Sequence, residues 1–191
     1  TDKTIELLAK NTNLFDRLVY KKNGGKGSAI RLGFKHAAGD IIIIQDADLE
    51  YYPEDYAKIL KPILEGKAEV VYGSRFKNAG FFPEKFRKVL PNYIGNKIIS
   101  LLFSAMFLNH VTDMETCYKC MTKKVLKKIL PELKADDFKI EPELSAQIIK
   151  KGFKITEVPI RYSPRIASEG KKINWKDGVK AIGAIIKYRL V

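Results

Sequence analysis

Asp46 and Asp48, one residue apart, follow four consecutive isoleucines at positions 41–44, and Glu50 lies two residues further on. Hard oxygen donors in that spacing suit Mg²⁺ or Mn²⁺, and such an ion suits a diphosphate. The β-branched run before them reads as a strand buried on both faces, as inside a parallel sheet. After them, Tyr51-Tyr52-Pro53-Glu54-Asp55 reads as a helix start, with proline early and acids in the first turn. The acids therefore stand just beyond the carboxyl end of a strand, where open α/β sheets bind ligands. A solvated loop would carry the same D-x-D, so the rest of the chain has to decide.

Basic groups offer a complement. The turn Lys21-Lys22-Asn23-Gly24-Gly25-Lys26-Gly27 precedes a helix expected over 28–38. Lysine at a helix N-terminus beside free amides can hold phosphate, although a plain helix-entry turn reads equally well. Arg75 follows a strand expected over 68–72, at the same sheet edge as Asp46 and Asp48. Cys117-x-x-Cys120 has no second pair, and His36 and His110 are isolated, so neither a four-ligand zinc site nor a redox pair is expected.

The elements that must hold these groups alternate. A helix over 4–9, with Thr1 or Asp2 as N-cap, leads to a strand over 17–20. The helix over 28–38, the isoleucine strand, a helix over 54–65 and the strand over 68–72 follow in order, the pattern of a doubly wound sheet. A domain of this kind normally starts on a strand, so a first strand is apparently lacking. Beyond a loop over 77–83 come Lys85, Arg87 and Lys88 and an apolar run over 94–108. Helices over 123–130 and 141–151, an alternating strand over 153–162 with Pro159 hinting at an edge, and a basic helix over 177–190 preceded by Trp175 complete the chain.

The 191 residues, 46% hydrophobic, suit a single domain with a substantial core. A formal charge of +13 favours polyanionic partners: nucleic acid, anionic lipid headgroups or nucleotide diphosphates. No apolar run reaches the roughly 18 residues of a spanning helix. The segments at about 84–108 and 174–190 have the basic and apolar make-up of helices lying in a membrane interface, or equally of helices packed on the domain. Two cysteines make a reducing cytoplasm the default.

Taken in order, Asn23-Gly24-Gly25-Lys26-Gly27, Asp46-Ala47-Asp48-Leu49-Glu50, Gly73-Ser74-Arg75, Asp113-Met114-Glu115-Thr116-Cys117-Tyr118-Lys119, Glu141-Pro142-Glu143, Glu157-Val158-Pro159-Ile160 and Gly170-Lys171-Lys172-Ile173 resemble the family-2 glycosyltransferases. Within them the likeness is to dolichol-phosphate mannose synthases and polyprenyl-phosphate glucosyltransferases. It covers nearly the whole chain, but the family's first strand and the Asp-Asp-Gly-Ser after its second are absent.

The resemblance implies a GT-A-type, mostly parallel sheet with helices on both faces. It implies a metal-dependent, inverting hexosyltransferase that moves mannose or glucose from GDP-mannose or UDP-glucose to a polyprenyl or dolichyl phosphate. Asp46, Asp48 and Glu50 would hold Mg²⁺ or Mn²⁺, with the family's frequent Gln at the last position making Glu50 the less secure. Lys26, Arg75 and Arg165 would join Asp46 and Asp48 on the donor, and Arg75, Arg87, Arg165 and Lys171 would grip the acceptor phosphate. Asp113 would orient a lipid-phosphate acceptor, or act as base toward a sugar hydroxyl. The expected setting is peripheral, at the cytoplasmic face of the cell membrane. The rivals are the same fold acting on a polysaccharide or soluble acceptor, and a basic nucleic-acid-binding domain, which no recognisable motif supports. Oligomeric state is left open.

Overall fold

The structure, a computed structural model, describes residues 3–77, 86–165 and 175–191, without the side chains of residues 86–89, 91, 175 and 176. Its frame is a four-stranded sheet in the order β1 (Ile41–Ile43), β3 (Lys119–Thr122), β2 (Val70–Ser74) and β4 (Thr156–Pro159). Strand β3 runs antiparallel to both neighbours, pairing Ile42 with Met121 and Val71 with Cys120. Strand β4 pairs in parallel with β2, so β1, β2 and β4 share one direction and β3 alone opposes them.

The apolar content of the strands accounts for their burial. All five residues of β2 are buried, and Val70, Val71, Tyr72, Cys120 and Met121 are inaccessible. Each such aliphatic side chain contributes about 1.5–3 kcal/mol relative to an exposed one. Seven helices surround the sheet among the described residues: α1 (Thr4–Lys10), α2 (Lys26–His36), α3 (Tyr56–Leu64), α4 (Phe86–Phe107), α5 (Lys123–Ile129), α6 (Ile140–Lys150) and α7 (Trp175–Leu190). Helix α3 covers β2 and β3, while α4 and α6 both pack against α7. Thr122 opens α5 by accepting a hydrogen bond from the Val125 amide, as an N-cap threonine does.

Two expectations need correcting. Residues 17–20 form no strand, since no backbone hydrogen bond pairs them with a neighbour among the described residues, and Val19 and Tyr20 are exposed. No strand is expected between residues 112 and 122, yet β3 (Lys119–Thr122) lies between β1 and β2, with Cys120 inside the sheet. Burial drives the Cys120 thiol up to about 12 and the Cys117 thiol higher, which keeps both protonated. The expected N-cap at Thr1 or Asp2 and the loop beyond Lys77 lie outside the described residues.

Candidate active site

The acid loop begins where β1 stops. Its first amide, that of Asp46, donates to Cys117 Sγ at 2.9 Å, and the Cys117 amide donates to Tyr51 Oη at 3.0 Å. Both ends of the loop are thus tied to the segment entering β3. Leu49, between the two outer acids, has φ +60° and is 92% exposed. A left-handed leucine is strained, and strain of this kind gathers at ligand sites. Here it accompanies a reversal after which Asp48 faces outward and Glu50 inward.

Glu50 is buried and its oxygens are committed. Oε2 accepts from Tyr162 Oη at 2.6 Å, and Oε1 accepts from the Arg165 amide at 3.0 Å and Arg165 Nε at 3.2 Å. The Glu50 carbonyl accepts the Ser163 amide at 2.9 Å. Glu50 therefore fastens the acid loop to residues 162–165.

Each outward aspartate already meets a cation. Lys26, at the start of α2, reaches Asp46 Oδ2 at 2.7 Å and Glu141 Oε1 at 2.8 Å. Glu141 also takes the buried Lys119, so one α6 carboxylate holds two lysines. Burial pushes Lys26 down, but Glu141 and Asp46 outweigh it and leave the ammonium firmly charged. Arg165 reaches Asp48 Oδ2 at 3.1 Å. Gly25 and Gly27, which flank Lys26, pack closely against residues 135–137, which favours the helix-entry reading of this turn over the phosphate-cradling one. A Cβ on Gly27 would stand 2.3 Å from the Ala135 carbonyl oxygen, and the Ser28 amide donates to Asp136 O at 3.0 Å.

Arg75 leaves the end of β2 in a bidentate pair with Asp113, Nε to Oδ2 at 2.8 Å and Nη2 to Oδ1 at 2.7 Å. Glu157 of β4 sets this up, accepting the Thr112 amide at 2.9 Å and the Asp113 amide at 3.0 Å. The guanidinium lies 5.0 Å from the Tyr162 ring centre and 5.2 Å from that of Phe76. Asp113 is wholly buried with both oxygens on Arg75. It holds the Arg75 guanidinium in place. The Arg87 side chain and all of Lys171 lie outside the described residues.

The sequence motifs and the strand expected over 153–162 contain Glu157, Tyr162, Lys119 and Glu115 but assign them no role. Their signal was faint: a charged or hydroxyl-bearing residue inside an otherwise apolar strand or turn. Asp46 and Asp48 do suit a divalent ion. They offer hard oxygens one residue apart, and their side chains keep 32% and 23% exposure. Among the described residues no third His, Cys, Asp or Glu joins them in a cluster. That donor set fits Mg²⁺ or Mn²⁺ completing its shell with substrate phosphate and water, the usual habit of Mg²⁺.

An acid loop that suits a divalent ion and two arginines held by carboxylates stand at the same end of the sheet. The chain matches the glycosyl transferase family 2 profile over residues 1–130 and belongs to that family. It is 30% identical over 178 residues to a UDP-N-acetylglucosamine–dolichyl-phosphate N-acetylglucosaminyltransferase of Methanococcus voltae, covering 90% of this chain and 66% of that one. It is 31% identical over 149 residues to glycosyltransferase AglJ of Haloferax volcanii, covering 78% of this chain and 47% of the relative. The fold is that of glucosyl-3-phosphoglycerate synthase from Mycobacterium tuberculosis, solved with Mn²⁺, UDP-glucose and phosphoglyceric acid. The TM-score is 0.65 at 16% identity, covering all of this chain and 66% of that one. The fold is thus of the GT-A type, as the sequence motifs implied.

Proposed function

We propose that this protein transfers a hexose or N-acetylhexosamine from a nucleotide diphosphate to a polyprenyl phosphate, with inversion, at a membrane surface. The carrying observation is the convergence of Asp46, Asp48, Arg75 and Arg165 on one sheet edge. A uridine donor is favoured over GDP-mannose, because the Methanococcus relative is named for a UDP-sugar and the mycobacterial structures hold UDP-glucose.

Asp46 and Asp48 would hold Mg²⁺ or Mn²⁺, which when bound neutralises the leaving diphosphate. Lys26 and Arg165, already at these aspartates, are the chain's own cations for the donor phosphates. Arg75, with Nε and Nη2 held by Asp113, offers its charge to the acceptor phosphate, and Arg87 and Lys171 are further candidates for that grip. The acceptor oxygen attacks the anomeric carbon opposite the leaving diphosphate, which gives inversion.

Helix α4 supports a lipid acceptor. Ile99, Phe103 and Phe107 pack inward, while Leu90, Ile94, Ile98, Leu101 and, just past its end, Leu108 are exposed at helical spacing. No helix among the described residues is long and apolar enough to cross a membrane. A stripe of this kind instead suits lying in the headgroup region, with the peripheral cytoplasmic setting proposed.

The test is radiolabelled UDP-N-acetylglucosamine, UDP-glucose and GDP-mannose offered separately with Mn²⁺ and polyprenyl phosphate. Organic-extractable, mild-acid-labile label is expected from a uridine donor. No lipid-linked label from any donor sinks the reading, and label on a soluble saccharide alone replaces it with the polysaccharide alternative.

A further inference from the structure

Around Arg75 and Lys26 the charges nearly pair off. Arg75 is taken by Asp113, Lys26 by Asp46 and Glu141, and Lys119 by Glu141. One further carboxylate stands among them without a cation of its own. Glu115, on the turn that links Asp113 to β3, has a buried Oε1 with no hydrogen-bond partner among the described residues, although the residue as a whole is only half-buried. It is faced by Lys26 from α2, Arg75 from the end of β2, Lys119 from β3 and Glu141 from α6. It is thus within electrostatic reach of both the donor lysine and the acceptor arginine.

A buried carboxylate oxygen without a partner is costly unless it is protonated or meets a ligand. Burial first, and the nearby Glu141 second, raise the Glu115 carboxyl to about 7, against the pull of Lys119, Arg75 and Lys26. A phosphate monoester loses its second proton near pH 6, at a pKa of about 6. The two groups are close enough in acidity to hold one proton in common.

We propose that Glu115 contacts the acceptor phosphate and shares a single proton with it in the productive complex. As the phosphate oxygen bonds to the anomeric carbon, the bond from that carbon to the nucleotide diphosphate breaks and its electron pair leaves on the diphosphate. The shared proton ends on the Glu115 carboxylate and passes from there to water. Asp113, read from sequence as orienting a lipid-phosphate acceptor, has both its oxygens on Arg75. With Glu115 ionised beside a dianionic phosphate, like-charge repulsion lowers the rate on the alkaline side.

The inference rests on the phosphate-acceptor reading, and its test separates the two. Lipid-linked product is measured with the full-length protein from pH 5.5 to 8.5, as roughly spans both ionisations, for wild type and Glu115→Gln. Wild type is expected to give a bell-shaped kcat/KM profile whose alkaline limb falls from about pH 7, and Glu115→Gln to lose that limb and reach a plateau. UDP affinity should stay within about two-fold of wild type. A Glu115→Gln enzyme that keeps the wild-type alkaline limb overturns the proposal, since a purely structural glutamate would leave the profile where it was. A large loss of UDP affinity also overturns it, because Glu115 would then serve the donor. Wild type that makes no lipid-linked sugar at any pH brings down the acceptor reading itself, and the proposal with it.

Discussion

Ionising Glu115 costs the fold free energy at neutral pH. A carboxyl raised in the native state is most stabilising while protonated, so its contribution is complete below about 4.5 and is lost as the pH climbs through about 7. Glu115→Gln removes that loss. Thermal unfolding should show the variant more stable than wild type at pH 8, by about 1–3 kcal/mol, with little difference at pH 5. An equal difference at both pH values would mean that the carboxyl ionises in the native state as it does in the unfolded chain. The same scale shows what single residues reveal in a sequence. Asp46 and Asp48 stand out in the sequence because their spacing is local to one loop. For Glu50 and Asp113 the partners arrive from far along the chain, where spacing gives no sign of them: Tyr162 and Arg165 for the first, Arg75 for the second. A carboxylate's spacing says what it could bind and says nothing of the cation that reaches it first.

Among the elements, α4 carries two apolar faces that behave differently when altered. Phe103 is fully buried and stacks on Phe107 with ring centres 4.6 Å apart. Phe103→Ala should cost about 3–5 kcal/mol in urea unfolding. Ile98 and Leu101 are 55% and 71% exposed. Ile98→Glu with Leu101→Glu should shift stability by no more than about 0.5 kcal/mol per site, yet abolish co-sedimentation with anionic vesicles. Retention on vesicles would assign the stripe to another partner. The helices were well legible, since their 3.6-residue apolar rhythm and Gly or Pro stops are local signals. Strands were less so. A strand of four residues with a lysine inside, as β3 is, has too little pattern to announce itself, and its lysine is tolerable only because Glu141 waits across the core.

For the whole molecule, the order of the strands differs from the order of the sequence. Strands β1 and β2 never touch as a pair, because β3, from far downstream, lies between them, and β4 arrives later still. During synthesis the first half of the chain therefore emerges with β1 and β2 waiting side by side for a strand the ribosome has not yet made. Non-local pairing of this kind is slow and leaves apolar edges open meanwhile. Nascent chains arrested before Lys119 leaves the exit tunnel should be digested readily, and protection should appear only in chains long enough to expose Thr122. Early protection would mean that the helices fold without the sheet. On this topology, the wait for β3 is the period in which the newborn protein most needs a chaperone.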